Sequence, residues 1–243
     1  MKYLLALAAH FLGDFVFQSS QMAREKSGNR TVFIRHCLIY ACLTALALLW
    51  YAPLANVALA VFLIAFSHGA VDQLKGRLLR RLASPKRAMV WVFMADQLLH
   101  LLVITLAVQL PQTVNAAGKM LLAGLGQHFS VAQIHRGAAL IFLFIVLSAP
   151  AASFIKQILS LISLENDSPA GCGYLIGILE RFIIVALYLS RQLEALGLVL
   201  AAKSIARFKQ LDDRDFAERY LVGTLLSVLL ALLGIAAAEV LLR

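Results

Sequence analysis

Three histidine–aspartate pairs lie within otherwise apolar stretches of this chain. They occur in AHFLGDFVFQ (His10 and Asp14), FSHGAVDQLK (His68 and Asp72) and FMADQLLH (Asp96 and His100). The members of each pair are four residues apart, so both side chains lie on one face of a helix, about 6 Å apart along its axis. Imidazole and carboxylate groups are ligands of zinc, iron and manganese in proteins. The pairs therefore predict a metal site.

The order of residues within the pairs agrees with a shared site. Histidine comes first in the first two pairs and second in the third. The helix with the third pair is predicted to cross the membrane in the opposite direction, so the aspartate lies nearer the cytoplasm in all three helices. His36, in IRHCLIY near the cytoplasmic start of the second apolar segment, adds a seventh group at similar depth. The predicted metal ligands are His10, Asp14, His36, His68, Asp72, Asp96 and His100.

Seven ligands are more than one tetrahedral ion needs, so the surplus would hold a second metal, orient imidazoles or supply a general base. We expect a divalent cation, with zinc first and manganese or iron as alternatives. A purely structural network is the other interpretation, because polar side chains also form hydrogen bonds between membrane helices. Three pairs at one spacing, with the order reversing as the topology requires, favour metal or proton chemistry.

The composition is typical of a helical membrane protein. Of the 243 residues, 61% are hydrophobic and only 14% are charged, whereas roughly a quarter are charged in soluble domains. Apolar runs of about 20 residues are long enough to cross a bilayer. They predict an all-α, polytopic membrane protein with seven or eight transmembrane helices, and the opening MKYLLALAAHF is interpreted as a retained helix. The predicted segments are 3–18, 32–52, 54–74, 89–110, 137–163, 172–190, 191–208 and 217–242.

The positive charges predict the orientation. They form three groups that fall on the same side of an eight-span topology, and the positive-inside rule makes that side cytoplasmic. The net charge of +9 is thus explained by topology, and nucleic-acid binding is not expected. The groups are Arg24, Lys26, Arg30 and Arg35; Lys75, Arg77, Arg80, Arg81, Lys86 and Arg87; and Lys203, Arg207, Lys209, Arg214 and Arg219.

The cysteines do not predict a disulfide framework. Cys37, Cys42 and Cys172 lie in or beside apolar segments and lack the spacing of a metal site, so we expect small buried apolar side chains. The domain organisation is predicted as a four-helix membrane unit over 1–110 with the His/Asp residues, an extracytoplasmic connection over 111–136, and a second helical membrane unit over 137–243.

A second polar set lies in the C-terminal half. Glu180 and Arg181 are adjacent within GILERFIIVALYL, and Lys203 and Arg207 are four residues apart near the end of another segment. Arginine and lysine side chains bind phosphate and anionic headgroups. We therefore predict that Arg181, Lys203 and Arg207 bind substrate, with simple anchoring of the helix at the interface as the alternative for the last two.

Several of these stretches together resemble a bacterial inner-membrane family catalogued as domain of unknown function 3307. The resemblance covers the first 110 residues and most of 170–230, and it implies a location in the inner membrane but no reaction. A looser likeness links the chain to predicted membrane-bound metal-dependent hydrolases. The stretches that resemble the family are HFLGDFVFQSSQMAREK, RHCLIY, SHGAVDQLK, ADQLLH and LERFIIVALYLSRQLEALGLVLAAKSIARFKQL.

From these observations we expect a metal-dependent hydrolase of a lipid-linked or phosphate-bearing substrate that enters from the inner leaflet. Asp72 or Glu180 would act as the general base, and membrane lipids are the expected partners. Two alternatives are a transporter for a divalent cation or protons, and a scaffold or sensor that binds metal structurally. The outer parts of the segments carry few polar residues, which is evidence against a permeation path. The sequence leaves the oligomeric state open.

Overall fold

The computed structural model describes residues 1–81, 86–161 and 172–241, and the all-α prediction is confirmed for them. The side chains of Lys86, Arg87 and Cys172, and the predicted span end at 162–163, lie outside the description. The helices are α1 (Lys2–Phe11), α2 (Ser20–Glu25), α3 (Arg30–Leu48), α4 (Leu54–Arg81), α5 (Lys86–Ala107), α6 (Ala116–Gly126), α7 (Val131–Leu147), α8 (Ala149–Leu159), α9 (Cys172–Leu189), α10 (Leu196–Ala206) and α11 (Arg214–Leu241).

Short elements connect some of these helices. A π-helical segment, Leu12–Val16, continues directly from α1. Two 3₁₀ turns, Leu193–Ala195 and Phe208–Gln210, flank α10. Strands β1 (Tyr51–Ala52) and β2 (Thr113–Val114) form one small antiparallel pair, in which Tyr51 is opposite Val114.

Within the described residues, five helical stretches are long and apolar enough to cross a membrane, which indicates a membrane protein. The predicted number of seven or eight is not confirmed. The first segment is interrupted after ten residues by the π-helical segment, and segment 191–208 divides into a 3₁₀ turn and an eleven-residue helix. The five stretches are Arg30–Leu48, Leu54–Arg81, Ala88–Ala107, Val131–Leu159 and Arg214–Val240.

Large apolar side chains cover much of the outer surface of these helices. Trp91 is 74% exposed and Phe66 is 66% exposed. Apolar patches of this kind are rare on soluble monomers but are expected where a helix meets lipid. The exposed apolar side chains and the lengths of the helices therefore both indicate helices that lie in a membrane.

The chain divides into two compact units, Met1–Phe142 and Leu143–Arg243. In the first unit, α1, α3, α4 and α5 pack together around an apolar core. Its most buried members are Ala6, Leu48, Ala60, Ile64, Ile104 and Val108. The domain division predicted from the sequence, with a connection over 111–136, stays a prediction.

In the second unit, α8, α9 and α11 pack together. Their core contains Leu147, Ile184, Val185, Ala231 and Ile235. Pro150 occupies the second position of α8, where its missing N–H costs no hydrogen bond inside the helix. The last carbonyls of α7 lie at this break and need other donors.

Candidate metal centre

All seven predicted metal ligands lie together inside the first unit. They are called the His/Asp cluster below. His10 lies on α1, Asp14 on the π-helical segment, His36 on α3, His68 and Asp72 on α4, and Asp96 and His100 on α5. Each is at most 8% exposed. The i, i+4 spacing therefore turns three pairs of side chains from different helices towards one point.

His68 and His36 lie in the middle of the cluster. The Nε2 atoms of the two histidines are 2.9 Å apart. His68 Nε2 is also 3.3 Å from Asp14 Oδ1, and His36 Nε2 is 3.3 Å from Asp72 Oδ2. The π-helical segment, α3 and α4 thus bring their ligand atoms within the reach of a single ion.

Three groups in the cluster have ligand atoms that all lie within 4.8 Å of one another. The groups share members, since His68 belongs to two of them and Asp72 also belongs to two. They therefore form one continuous set of donors that could hold one ion or two. The groups are His10, Asp14 and His68; His36, His68 and Asp72; and Asp72, Asp96 and His100.

Several atoms of the cluster are buried without a hydrogen-bond partner among the described residues. An unsatisfied buried polar atom costs about 1–3 kcal/mol, so a native protein normally pairs it or uses it to bind a ligand. A cation beside His36 Nε2 and His68 Nε2 would satisfy Asp14 Oδ1, and a cation between Asp96 Oδ1 and His100 Nε2 would satisfy both of those atoms, so the residues present fit a divalent metal. The atoms are Asp14 Oδ1, His36 Nδ1, His68 Nδ1, Asp96 Oδ1 and His100 Nε2.

Two lysines that no sequence pattern had linked to the site contact the cluster. Lys26, after α2, forms an ion pair with Asp72, and Lys75 Nζ lies 2.7 Å from Asp96 Oδ2. Both had been assigned only to the cytoplasmic charge groups. A usable signal existed for Lys75, because it is one helical turn after Asp72. With neutral histidines, the three carboxylates exceed the two ammonium groups by one negative charge, so the cluster still attracts a cation.

Tyr40 and Gln97 hold His10 and His68 in position. The Tyr40 ring stacks on His68 at a centroid distance of 3.7 Å, and its hydroxyl oxygen is 3.1 Å from His10 Nδ1. Gln97 Oε1 is 3.3 Å from His10 Nε2, and Gln97 Nε2 donates to Asp96 Oδ2. Both ring nitrogens of His10 therefore have partners, which suits a residue that orients the site; its predicted role as a ligand stays a prediction.

The π-helical segment brings Asp14 to this site. The Phe17 N–H donates to the Leu12 carbonyl, five residues back, at 2.8 Å. Such insertions are rare and frequently occur at functional sites. Gly13 makes the close approach possible, because a Cβ atom there would lie 2.9 Å from Tyr40 Cδ2.

Gly13→Ala is expected to lower the free energy of unfolding by about 1–3 kcal/mol, since the added methyl group must displace the Tyr40 ring from His68. Thermal unfolding in detergent would measure the change. Gly137→Ala is the matched control, because a Cβ atom there meets nothing within 4 Å and alanine favours helix by up to about 1 kcal/mol. Equal stability of Gly13→Ala and wild type would contradict the packing described.

Comparison with known proteins identifies the family of the part of the chain that contains this site. The family model described as protein of unknown function (DUF3307) matches residues 3–124, about half of the chain. The chain belongs to this family. The resemblance predicted from the sequence is thus confirmed for the N-terminal part, whereas its extension over 170–230 and the looser likeness to hydrolases stay predictions. No curated protein and no solved structure matches the chain.

The whole His/Asp cluster lies within the part that matches the DUF3307 family, together with Lys26 and Lys75. The second polar set lies outside the match. There, Lys203 Nζ is 2.6 Å from Glu180 Oε2 and 2.9 Å from Thr224 Oγ1. Glu180, predicted as a general base, and Lys203, predicted to bind substrate, therefore form an ion pair with each other.

The two arginines predicted to bind substrate also have partners in this DUF3307 protein. Arg181 is 1% exposed and donates from Nε to the Leu147 carbonyl at 2.6 Å. Its other nitrogens donate to the Ser148 carbonyl and to Ser227 Oγ. It thereby satisfies carbonyls at the end of α7, where a cation is favourable. Arg207 is partly exposed and donates to Gln210. The substrate-binding roles of both arginines stay predictions.

Proposed function

We propose that this protein is a multi-pass protein of the bacterial inner membrane that hydrolyses a phosphate-bearing or lipid-linked substrate with a divalent metal. The observation that carries the proposal is the convergence of four histidines and three aspartates from α1, α3, α4 and α5 on one buried point. Ionisable groups are expensive inside a membrane, so their concentration there supports a functional role.

Asp14, His36 and His68 are the residues that would hold the first ion, because their ligand atoms meet at the centre of the cluster. Zinc is the first choice for these donors, and manganese or iron also suit them. A metal bound here supplies Lewis-acid activation of water and of the scissile group. Asp96 and His100 extend the donor set at its other end.

Asp72 is the proposed general base, and Lys26 and Lys75 are the proposed contacts of an anionic substrate. The lysine side chains are 14% and 27% exposed, whereas Asp72 and Asp96 are 3% and 2% exposed. The lysines thus mark the side of the cluster that is open. An anionic substrate on this side would compete with the carboxylates for both ammonium groups, which suit a phosphate oxygen as point charges.

Hydrolysis is favoured over transport because the cluster is closed on the other side. One helical turn beyond the histidines, the helices carry Ala6, Ile64 and Ile104, all at most 2% exposed. These residues belong to the apolar core. A permeation path would need polar groups there, since an ion cannot shed its water into an apolar core without compensation.

Asp72→Asn is expected to lower hydrolysis by about 100-fold or more, because the amide keeps the shape of the carboxylate but cannot accept the proton. The probes are bis(4-nitrophenyl) phosphate and lipid extracts of the host membranes, with zinc or manganese added. Lys75→Gln should retain the metal and lose activity, whereas the control Lys119→Gln, outside the cluster, should retain both. If cells with Asp72→Asn show an altered metal content and the same phosphoesters as wild-type cells, the protein is a transporter and the proposal is wrong.

A further inference from the structure

A long apolar groove lies on the outer surface of the first unit, between α3 and α4. Its volume is about 910 Å³. Apart from Gln73 at one end, its lining consists of apolar side chains, one glycine and Cys37. Its lining includes Phe33, Ala41, Ala45, Val61, Ala65 and Phe66. None of the residues that line the groove belongs to the His/Asp cluster, whose side chains on the same two helices are buried.

The groove exists because the two helices are close together at one end and present small side chains along the middle. A Cβ atom on Gly69 would lie 3.2 Å from Cys37 Sγ and 3.3 Å from Phe33 Cζ. The helices therefore almost touch at Gly69. Ala41, Ala45 and Ala65 leave the space between them unfilled.

The length and surroundings of the groove suit a hydrocarbon chain. Both walls are helices long and apolar enough to cross a membrane. In a bilayer, the outer face of these helices contacts lipid acyl chains. From Phe33 to Leu49, the wall formed by α3 is about 24 Å long at 1.5 Å per residue. One leaflet of a bilayer contributes about half of a hydrocarbon thickness of about 30 Å. Because the groove is longer than one leaflet is deep, an acyl chain that enters at one end can stay in the groove over the full length of the chain.

Charge at one end of the groove identifies the kind of lipid. Gln73 ends the groove on α4, and Arg77 Nη2 donates to its Oε1 at 3.5 Å. On α3, Arg30 lies one helical turn before Ile34, a lining residue, and is exposed. Because α3 begins where the adjacent α4 ends, both arginines lie at the end where a headgroup would be. Basic residues at a membrane surface attract anionic headgroups.

We infer that this groove binds one acyl chain of an anionic glycerophospholipid, with its headgroup at Arg30 and Arg77. A second copy of the chain is a poorer occupant, because it would bring further positive charge to the same end. The inference goes beyond the proposed function and does not depend on a metal. It can therefore fail while the hydrolase proposal stands, and the reverse also holds.

The test uses the full chain in nanodiscs of phosphatidylcholine and phosphatidylglycerol with a trace of phosphatidylglycerol that carries a photoactivatable group in its acyl chain. After illumination, mass spectrometry of peptides locates the labels. We expect labels to concentrate on the groove residues of α3 and α4 rather than on Leu98 and Leu102 of α5, which are 63% and 55% exposed. Ala41→Phe with Ala45→Phe should remove most of the groove labelling, and Leu102→Phe should not.

A second pair of variants leaves the apolar packing intact. Arg30→Gln with Arg77→Gln should lower the preference of the groove for phosphatidylglycerol over phosphatidylcholine by roughly tenfold. Arg136→Gln, an exposed arginine away from the groove, should leave the preference unchanged. Labels spread evenly over α3, α4 and α5 would indicate ordinary surrounding lipid and overturn the inference. Crosslinks between two copies of the chain at the groove would overturn it as well.

Discussion

Asp14→Asn is expected to lower the affinity of the protein for zinc by about 100-fold or more. Loss of even an indirect partner of a metal ligand costs about 10–100-fold, and Asp14 is proposed as a direct ligand. Its Oδ1 atom is buried, has no hydrogen-bond partner among the described residues and lies 3.3 Å from His68 Nε2. The amide keeps the size of the carboxylate but removes the charge that attracts a cation.

The measurement is metal analysis of purified protein after equilibration at a series of buffered free zinc concentrations. Asp212→Asn is the control, because it makes the same chemical change at an exposed position outside the cluster. If wild-type protein binds neither zinc nor manganese nor iron, the proposed metal site is wrong. The cluster would then be a structural network, stabilised by the two lysine–aspartate pairs.

Arg181→Met is expected to lower the free energy of unfolding by about 3 kcal/mol or more. The change keeps much of the volume of the side chain but removes its donors to the carbonyls of Leu147 and Ser148 and to Ser227. These acceptors are packed inside the second unit, where the substitution offers them no replacement donor. Chemical unfolding in detergent micelles would measure the difference.

Arg207→Met is the matched control, since its arginine is partly exposed and donates only to Gln210 in the described contacts. We expect its effect to lie within about 0.5 kcal/mol. The comparison also tests the substrate-binding role predicted for Arg181. An arginine whose main task is to bind substrate would lose turnover on substitution and leave the stability of the protein unchanged.

The sequence by itself determined the class of the protein and the side chains that share a face. A high apolar content and runs of about 20 residues are properties of the chain alone, and they predict helices in a membrane. The spacing of His68 and Asp72 is equally local, because a helix with 3.6 residues per turn places residues four apart on the same side. For this reason the three pairs could be recognised before any fold was known.

Tertiary structure alone decided which groups meet across helices. Lys26 is 46 residues from Asp72 in the chain, and Lys203 is 23 residues from Glu180, yet each pair is in contact. The stacking of Tyr40 on His68 likewise depends on how α3 packs against α4. Helical periodicity fixes the direction of a side chain on its own helix, but its partner depends on the packing of neighbouring helices. That packing results from many small contacts spread along the chain, which no short motif encodes.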